Sequence, residues 1–292
     1  CRHTRPFRPD PKGAPTQYRR NTDVIPTCHP EPDHPVNDPL CAPVAFRRLA
    51  RHHRTMTEPQ DTPPPGAWRN FYGRSHGKTL RASQKTYLEQ DLAALSPGPV
   101  SRAENPSRRP LDLAARFGAR PVWLEIGFGG GEHMVHMATR NPDVALIGAD
   151  PFVNGVAMLL GKIRTAGVTN LAVHPGDVRD LFDVLPAASI SLVFLNYPDP
   201  WPKARHHRRR FVTPGYLGPL FRVMAPGARF RIATDIPDYV RQTREELPRA
   251  GFVRIDHPED RPWEDWPSTR YEQKALREGR HPHYLTFARP RA

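Results

Sequence analysis

Apolar residues fall into blocks of recognisable period only in the later three quarters of the chain. The stretch Phe71 to Leu95 ends in apolar positions at helical spacing, Tyr87, Leu88, Leu92 and Leu95, before Ser96-Pro97-Gly98-Pro99 stops it. A polar, proline-containing linker, Val100 to Pro110, follows. Short apolar runs then alternate with helical patterns. Strands are predicted at Val122 to Ile126, Ala145 to Ala149, Leu171 to His174, Ile190 to Leu195 and Arg229 to Ala233, with Phe252 to Ile255 and Tyr284 to Ala288 closing the set. Helices are predicted at Glu132 to Arg140, Val153 to Thr165, Leu181 to Leu185, Pro214 to Met224 and Pro237 to Leu247. Ile190 to Leu195 is almost wholly apolar, as a central strand covered on both faces should be. Strands separated by helices predict an α/β fold with a parallel sheet. No internal repeat is visible.

Residues 1–66 lack any periodic apolar face and are expected to be a disordered Pro/Arg-rich tail. They hold 14 of the 36 prolines and all three cysteines, Cys1, Cys28 and Cys41. Met56 is the first methionine, so residues 1–55 are read as an upstream mistranslation, with a genuine basic arm as the rival reading. Residues 67–110 form a basic segment with one helix, and residues 111–292 the main domain.

The formal charge is +13. Residues 1–55 hold ten basic and five acidic side chains, against 33 and 25 in the remainder, so the excess survives without the tail. A polyanionic partner such as nucleic acid is the economical reading, and a merely soluble basic surface the alternative. No apolar run reaches the ~20 residues that span a bilayer, and the first residues show no apolar core of a secretory signal. With no cysteine after Cys41, a reducing cytoplasm is expected.

The first strand runs into Glu125-Ile126-Gly127-Phe128-Gly129-Gly130-Gly131-Glu132. Glycines allow a sharp turn and close ligand approach, and the next helix offers free N–H groups. The dinucleotide fingerprint wants a glycine where Glu132 stands. Glu125 is expected to point a carboxylate into the pocket, which would repel a pyrophosphate but suit a cofactor carrying an ammonium and a sulfonium. Asp150, ending the second strand, can accept both ribose hydroxyls in either cofactor class. Asp177 can reach an adenine amino group or cap the following helix.

The fourth strand delivers Asn196-Tyr197-Pro198-Asp199-Pro200-Trp201-Pro202-Lys203, then Arg205-His206-His207-Arg208-Arg209-Arg210. Three prolines around one acid leave the loop little freedom to lose on folding. Lys203 and the arginine run can meet phosphate. Arg74, Lys78 and Arg81 can do the same or remain a solvated segment. His206 and His207 have neither a nearby cysteine nor His-x-x-x-His spacing, so no metal is expected. Trp263 and Trp266 either stack on a base or pack a loop.

The segments Pro198 to Lys203 with Arg205-His206 and Arg208 to Arg210, Leu124 to Gly129, Ala233-Thr234-Asp235 and Ser268-Thr269-Arg270-Tyr271-Glu272 resemble, in order, those of bacterial tRNA (guanine-N7)-methyltransferases. The resemblance covers Phe71 to the C-terminus. It implies a Rossmann-like class I methyltransferase fold, a mostly parallel seven-stranded sheet with helices on both faces and an antiparallel last strand. It further implies S-adenosyl-L-methionine as cofactor and tRNA as partner, with transfer to N7 of a variable-loop guanine. By the same resemblance Glu125, Gly127, Gly129, Asp150, Asp177 and Asp199 would form the cofactor site, with Asp199 also catalytic. Lys203, Asp235, Thr269, Arg270, Tyr271 and Glu272 would bind the substrate. The family often has glutamate where Asp150 stands, so the shorter acid requires a slightly different backbone approach. Monomer and homodimer both stay open.

Guanine N7 carries a lone pair and no proton, so the expected task is alignment rather than base catalysis. Three rivals are weighed. A methyltransferase acting on an exocyclic or amide nitrogen would favour Asn-Pro-Pro-Tyr after the fourth strand, where Asn196-Tyr197-Pro198-Asp199 stands; one acting on another RNA stays open as an alternative. A nucleotide-binding oxidoreductase is disfavoured by Glu125 and Glu132. An RNA-binding relative without catalysis is disfavoured by Glu125, Asp199 and Asp235.

Overall fold

The computed structural model describes residues 71–291. The expectations for residues 1–66, including Met56 as the start, lie outside the described residues. In chain order the elements are α1 (Ala82–Gln90), α2 (Leu113–Phe117), β1 (Val122–Ile126), α3 (Glu132–Arg140), β2 (Ala145–Ala149), α4 (Val153–Ala166), β3 (Leu171–His174), α5 (Val178–Phe182) and β4 (Ile190–Asn196). A 3-10 turn at Ala204–Arg209 leads to α6 (Pro214–Val223), β5 (Met224–Thr234), α7 (Pro237–Arg249), β6 (Val253–Arg254), α8 (Arg270–Arg277) and β7 (His283–Ala288).

All seven strands join one sheet in the order β3-β2-β1-β4-β5-β7-β6. The first five are parallel, and β7 runs antiparallel between β5 and β6. Register aligns Ile126 with Ala149 on one side and with Leu195 on the other. The carboxyl ends of β1, β2 and β4 therefore finish level, forming the edge at which open α/β sheets bind ligands.

Successive side chains of a strand face opposite ways, and the sheet buries both faces. Leu124 and Ile126 pack with α5, α6 and α7 through Leu181, Leu217, Leu220, Tyr239 and Leu247. The other face carries Leu146 and Phe194 against Met134, Met137, Leu159, Leu160 and Ile163 of α3 and α4, with Tyr87 and Leu88 of α1 alongside. The strands are apolar for this reason: each must satisfy two layers of helices.

Several boundaries differ from the sequence expectation. The helix expected from Leu181 starts at Val178, because Asp177 caps it by accepting the Arg179 N–H at 2.9 Å. β5 begins at Met224 rather than Arg229. The helices α2 and α8 were not expected. For α8 the signal was present: Thr269 caps it by accepting the Glu272 N–H at 3.2 Å, the Thr-x-x-Glu pattern of a helix start.

The glycine turn after β1 and the first turn of α4 approach too closely for a side chain between them. A Cβ on Gly155 would sit 2.2 Å from the Gly129 carbonyl oxygen, a backbone atom with no easy retreat. Gly155→Ala is therefore expected to cost about 1–3 kcal/mol, as overpacking does. The readout is a thermal midpoint lowered by several degrees. An unchanged midpoint would show that this contact is looser than described.

Candidate active site at the carboxyl edge of the sheet

A cavity of about 440 Å³ opens at the level edge of β1, β2 and β4, within the roughly 300–1,000 Å³ typical of small-molecule sites. Gly127 and Gly129 form its floor, both with positive φ (70° and 56°). A Cβ on Gly127 would meet nothing within 4 Å, so the backbone there lies open to a ligand. Asp150 holds this floor in place. Its carboxylate accepts the Gly129 N–H at 2.7 Å and the Phe152 N–H at 2.8 Å. Burial raises its pKa to about 6 against these two bonds, and the nearby Asp199 and Glu125 add to the rise. Each carboxylate oxygen retains a further lone pair.

Asp177 also lines the cavity. Arg179 grips its carboxylate, with Nη2 at 2.5 Å from Oδ2, and stacks its guanidinium over the Tyr216 ring. Asp177 is thus a helix cap as well as part of the wall.

Asp199 stands on the opposite wall, in the loop after β4. Tyr197 N–H donates to the Ala233 carbonyl at 2.7 Å, extending the ladder one residue past the strand. Tyr197 (φ 49°) and Trp201 (φ 39°) both take the left-handed conformation, at a cost of about 1–3 kcal/mol each. They bracket Pro198-Asp199-Pro200, so strain as well as proline fixes the acid. Asp199 is open to solvent at the cavity mouth, yet desolvation by the surrounding protein holds its carboxyl above the ordinary range.

Other expected site residues take different places. Glu125 does not line the cavity. It lies on the other face of the sheet from Ile126, is 2% exposed, and pairs with His133 Nδ1 at 2.7 Å. A buried carboxylate needs a donor, and the first turn of α3 supplies one. Glu272 is likewise buried, accepting from Trp266 Nε1 at 3.1 Å and from the Tyr284 hydroxyl. It does not line the cavity. Asp235 is held by Arg280 Nε at 2.5 Å. Lys203 is exposed and precedes the 3-10 turn, and Thr269 is spent as the α8 cap. Arg270 is exposed beside Glu132, at 3.9 Å. Of these six substrate expectations only Tyr271 reaches the cavity wall, lying nearly parallel to Tyr197 with centroids 6.4 Å apart.

The arginine run divides three ways. Arg208 is exposed, Arg209 lies between the Tyr72 and Trp201 rings, at 4.6 and 5.0 Å, and Arg210 is 1% exposed. Trp263 packs, donating Nε1–H to Thr286 Oγ1 at 2.9 Å. Among the described residues no cluster of three or more His, Cys, Asp or Glu could hold a metal ion, and no helix is long and apolar enough to cross a membrane.

The sequence reading missed the cavity's outer wall, Phe71 to Arg74. That segment is pinned across α4: Val153 N–H donates to the Ser75 carbonyl at 2.9 Å, Asn154 Oδ1 accepts from Gly77 N–H, and Asn154 Nδ2 donates to the Lys78 carbonyl, both at 2.6 Å. The aromatic pair Phe71-Tyr72 before a glycine was its only local sign.

Five parallel strands wound from the centre outward, with β7 reversed between β5 and β6, make this the Rossmann-like sheet of the class I methyltransferases. Residues 119–285 match a family model described as a putative methyltransferase. A tRNA (guanine-N(7)-)-methyltransferase of Cereibacter sphaeroides is 76% identical over 223 residues, covering 76% of this chain and 92% of that protein. One from Ruegeria pomeroyi is 69% identical over 231 residues, covering 78% of this chain and 98% of that protein. Among solved structures, the 16S rRNA methyltransferase KamB aligns at a TM-score of 0.46 and 18% identity, covering 65% of this chain and 94% of that one. The chain belongs to the family of the tRNA (guanine-N(7)-)-methyltransferases.

S-adenosylmethionine fits the residues present. Asp150 offers acceptors for ribose hydroxyls, Asp199 favours a molecule bearing a cationic group, Asp177, its charge already met by Arg179, has lone pairs left for an amino group, and Ile126, Val178 and Leu195 supply apolar walls. Accepting hydroxyls at both oxygens while both also hold backbone N–H groups favours the ionised form of Asp150, whose pKa burial raises to about 6. The sign follows directly. Affinity for S-adenosylmethionine is low when Asp150 is protonated, rises as pH increases through about 6, and levels off above. Titration calorimetry from acid to neutral pH should show this rise, approaching tenfold per pH unit on the acid side. A pH-independent affinity would remove Asp150 from the contact.

Proposed function

We propose that this chain transfers a methyl group from S-adenosylmethionine to N7 of a guanine in the variable loop of tRNA. The observation that carries the reading is the meeting of two walls. The glycine turn and Asp150 face Asp199 across one cavity, with Tyr271 at its rim. The relatives' names carry the acceptor atom, and an open cavity beside Asp199 supports that reading.

S-adenosylmethionine, when bound, supplies a methyl group activated on a sulfonium. The protein's part is to hold and to align. Asp150 and the glycine turn orient the cofactor's ribose end, and Asp177 borders its base. Glu125, away from the cavity, ties β1 to the first turn of α3 through His133. Asp199, aimed by its strained loop, faces the acceptor. N7 has no proton to lose, so Asp199 works as an ionised carboxylate that orients the base and stabilises the positive charge developing on it. Trp201 and Tyr271 offer aromatic faces to a base drawn out of its stack. Lys203, Arg208 and Arg270, all exposed near the cavity, are placed to meet phosphates. Asp235, Thr269 and Glu272 contribute to the substrate side indirectly, by fixing the α8 region.

The test is incubation of the purified protein with labelled S-adenosylmethionine and unmodified tRNA, followed by chain scission specific for 7-methylguanosine. Label and scission at one guanosine are expected. Asp199→Ala should lower kcat on the order of 10²-fold or more, the range set by electrostatic groups at a reacting centre, while the thermal midpoint holds. Full activity in that variant would remove Asp199 from the reaction.

A further inference from the structure

The six residues Arg205 to Arg210 read in sequence as one basic surface, but Arg210 is not on the surface. Its side chain has no exposed area. Nε donates to the Pro200 carbonyl at 2.8 Å and Nη2 to the Trp201 carbonyl at 3.2 Å. Nη1 donates to Asp238 Oδ2 and to Gln242 Oε1, both at 2.8 Å. The guanidinium lies 5.3 Å from the centroid of the fully buried Tyr239 ring.

These partners lie on two sides. Pro200 and Trp201 are the two residues after Asp199, and Trp201 is one of the loop's two left-handed residues. Asp238 and Gln242 stand one turn apart on α7, and Gln242 Nε2 is itself fixed by the Val212 carbonyl at 2.8 Å. We propose that Arg210 is a positioning residue: it clamps the Asp199 loop to α7, sets the aim of Asp199, and does not contact tRNA. This rests on the methyl-transfer reading above. Four donor contacts in a planar fork explain why arginine stands there. A lysine ammonium has three donors at one point and cannot reach both carbonyls and both side chains. A phosphate could take the guanidinium only by breaking these bonds and opening a packed wall.

The experiment compares wild type, Arg210→Lys, the charge-removing Arg210→Gln and the double variant Asp238→Asn/Gln242→Leu, using the full chain, S-adenosylmethionine and unmodified tRNA. Arg210→Lys is expected to lower kcat at saturating tRNA by about 10²-fold, the scale of a small misplacement of a reacting group. KM for S-adenosylmethionine and the salt dependence of tRNA affinity are expected to stay at wild-type values. The double variant loosens the α7 anchor of the same side chain and leaves its two loop carbonyl bonds in place, while also removing the Gln242 bond to the Val212 carbonyl and weakening the Asp238 pairs with His207 and Arg241; it is expected to lower kcat by less but in the same direction. A phosphate-binding Arg210 would behave oppositely. In Arg210→Gln, which removes the charge that lysine keeps, tRNA affinity would fall, the slope of log affinity against log salt would shrink by about 0.7–0.9 for the lost contact, and kcat would hold, whereas the clamp leaves affinity and slope at wild-type values and lowers kcat. Loss of affinity with kcat held overturns the proposal. Should Arg210→Lys fail to fold, the double variant decides, and wild-type kcat in it overturns the clamp. Wild-type protein that transfers no methyl to tRNA would instead overturn the parent reading.

Discussion

Asp150 reaches from the end of β2 and accepts one N–H from the glycine turn and one from the start of α4. Both bonds are short, and the carboxylate is 7% exposed. An acid removed from water this far resists ionisation, hence its pKa of about 6, and only the backbone donors restrain the rise. The arrangement joins two loops that emerge from neighbouring strands. With it, Gly155 can pass beneath the Gly129 carbonyl, α4 can close over the turn, and the segment before α1 can be pinned to Asn154. The cavity floor thus depends on one side chain whose charge state is itself adjustable.

The opposite wall follows a different principle. The floor is held by a buried carboxylate, whereas the Asp199 loop is held by a buried guanidinium. Two left-handed residues impose a conformation the chain would not choose alone, so the surroundings must maintain it. Arg210 does so from behind and Arg209 from the side, where it lies between Tyr72 and Trp201. A chemistry that needs in-line approach to a methyl group, and no proton removal at the acceptor, benefits from such stiffness more than from a tuned base.

Much of this was legible in the sequence because the sheet leaves little choice. Runs such as Val122 to Ile126 and Ile190 to Leu195 have apolar residues on both faces, which only a covered parallel strand requires. Glycines, acids at strand ends and the proline-braced loop then mark the carboxyl edge. What stayed hidden depends on direction and partnership. Glu125 sits one residue from the cavity-lining Ile126, and period two turns it to the far face. Glu272 and Arg210 carry charges that suggest contact with solvent or substrate, yet each is buried against donors or acceptors distant in sequence. No local pattern reveals Trp266, Tyr284, Asp238 or Gln242 as those partners. The Phe71 to Arg74 wall was hidden for the same reason, since it is placed by α4 and not by its own composition.

Alignment of the N7 lone pair of a tRNA guanine with a methyl group makes that one ring atom indispensable. Replacing guanosine with 7-deazaguanosine in the tRNA transcript puts a C–H where the nucleophile should be and leaves the base-pairing edge intact. Methyl transfer is expected to the ordinary transcript and none to the substituted one, with S-adenosylmethionine still bound. Transfer to the substituted transcript at a comparable rate would place the acceptor elsewhere on the RNA and contradict that alignment.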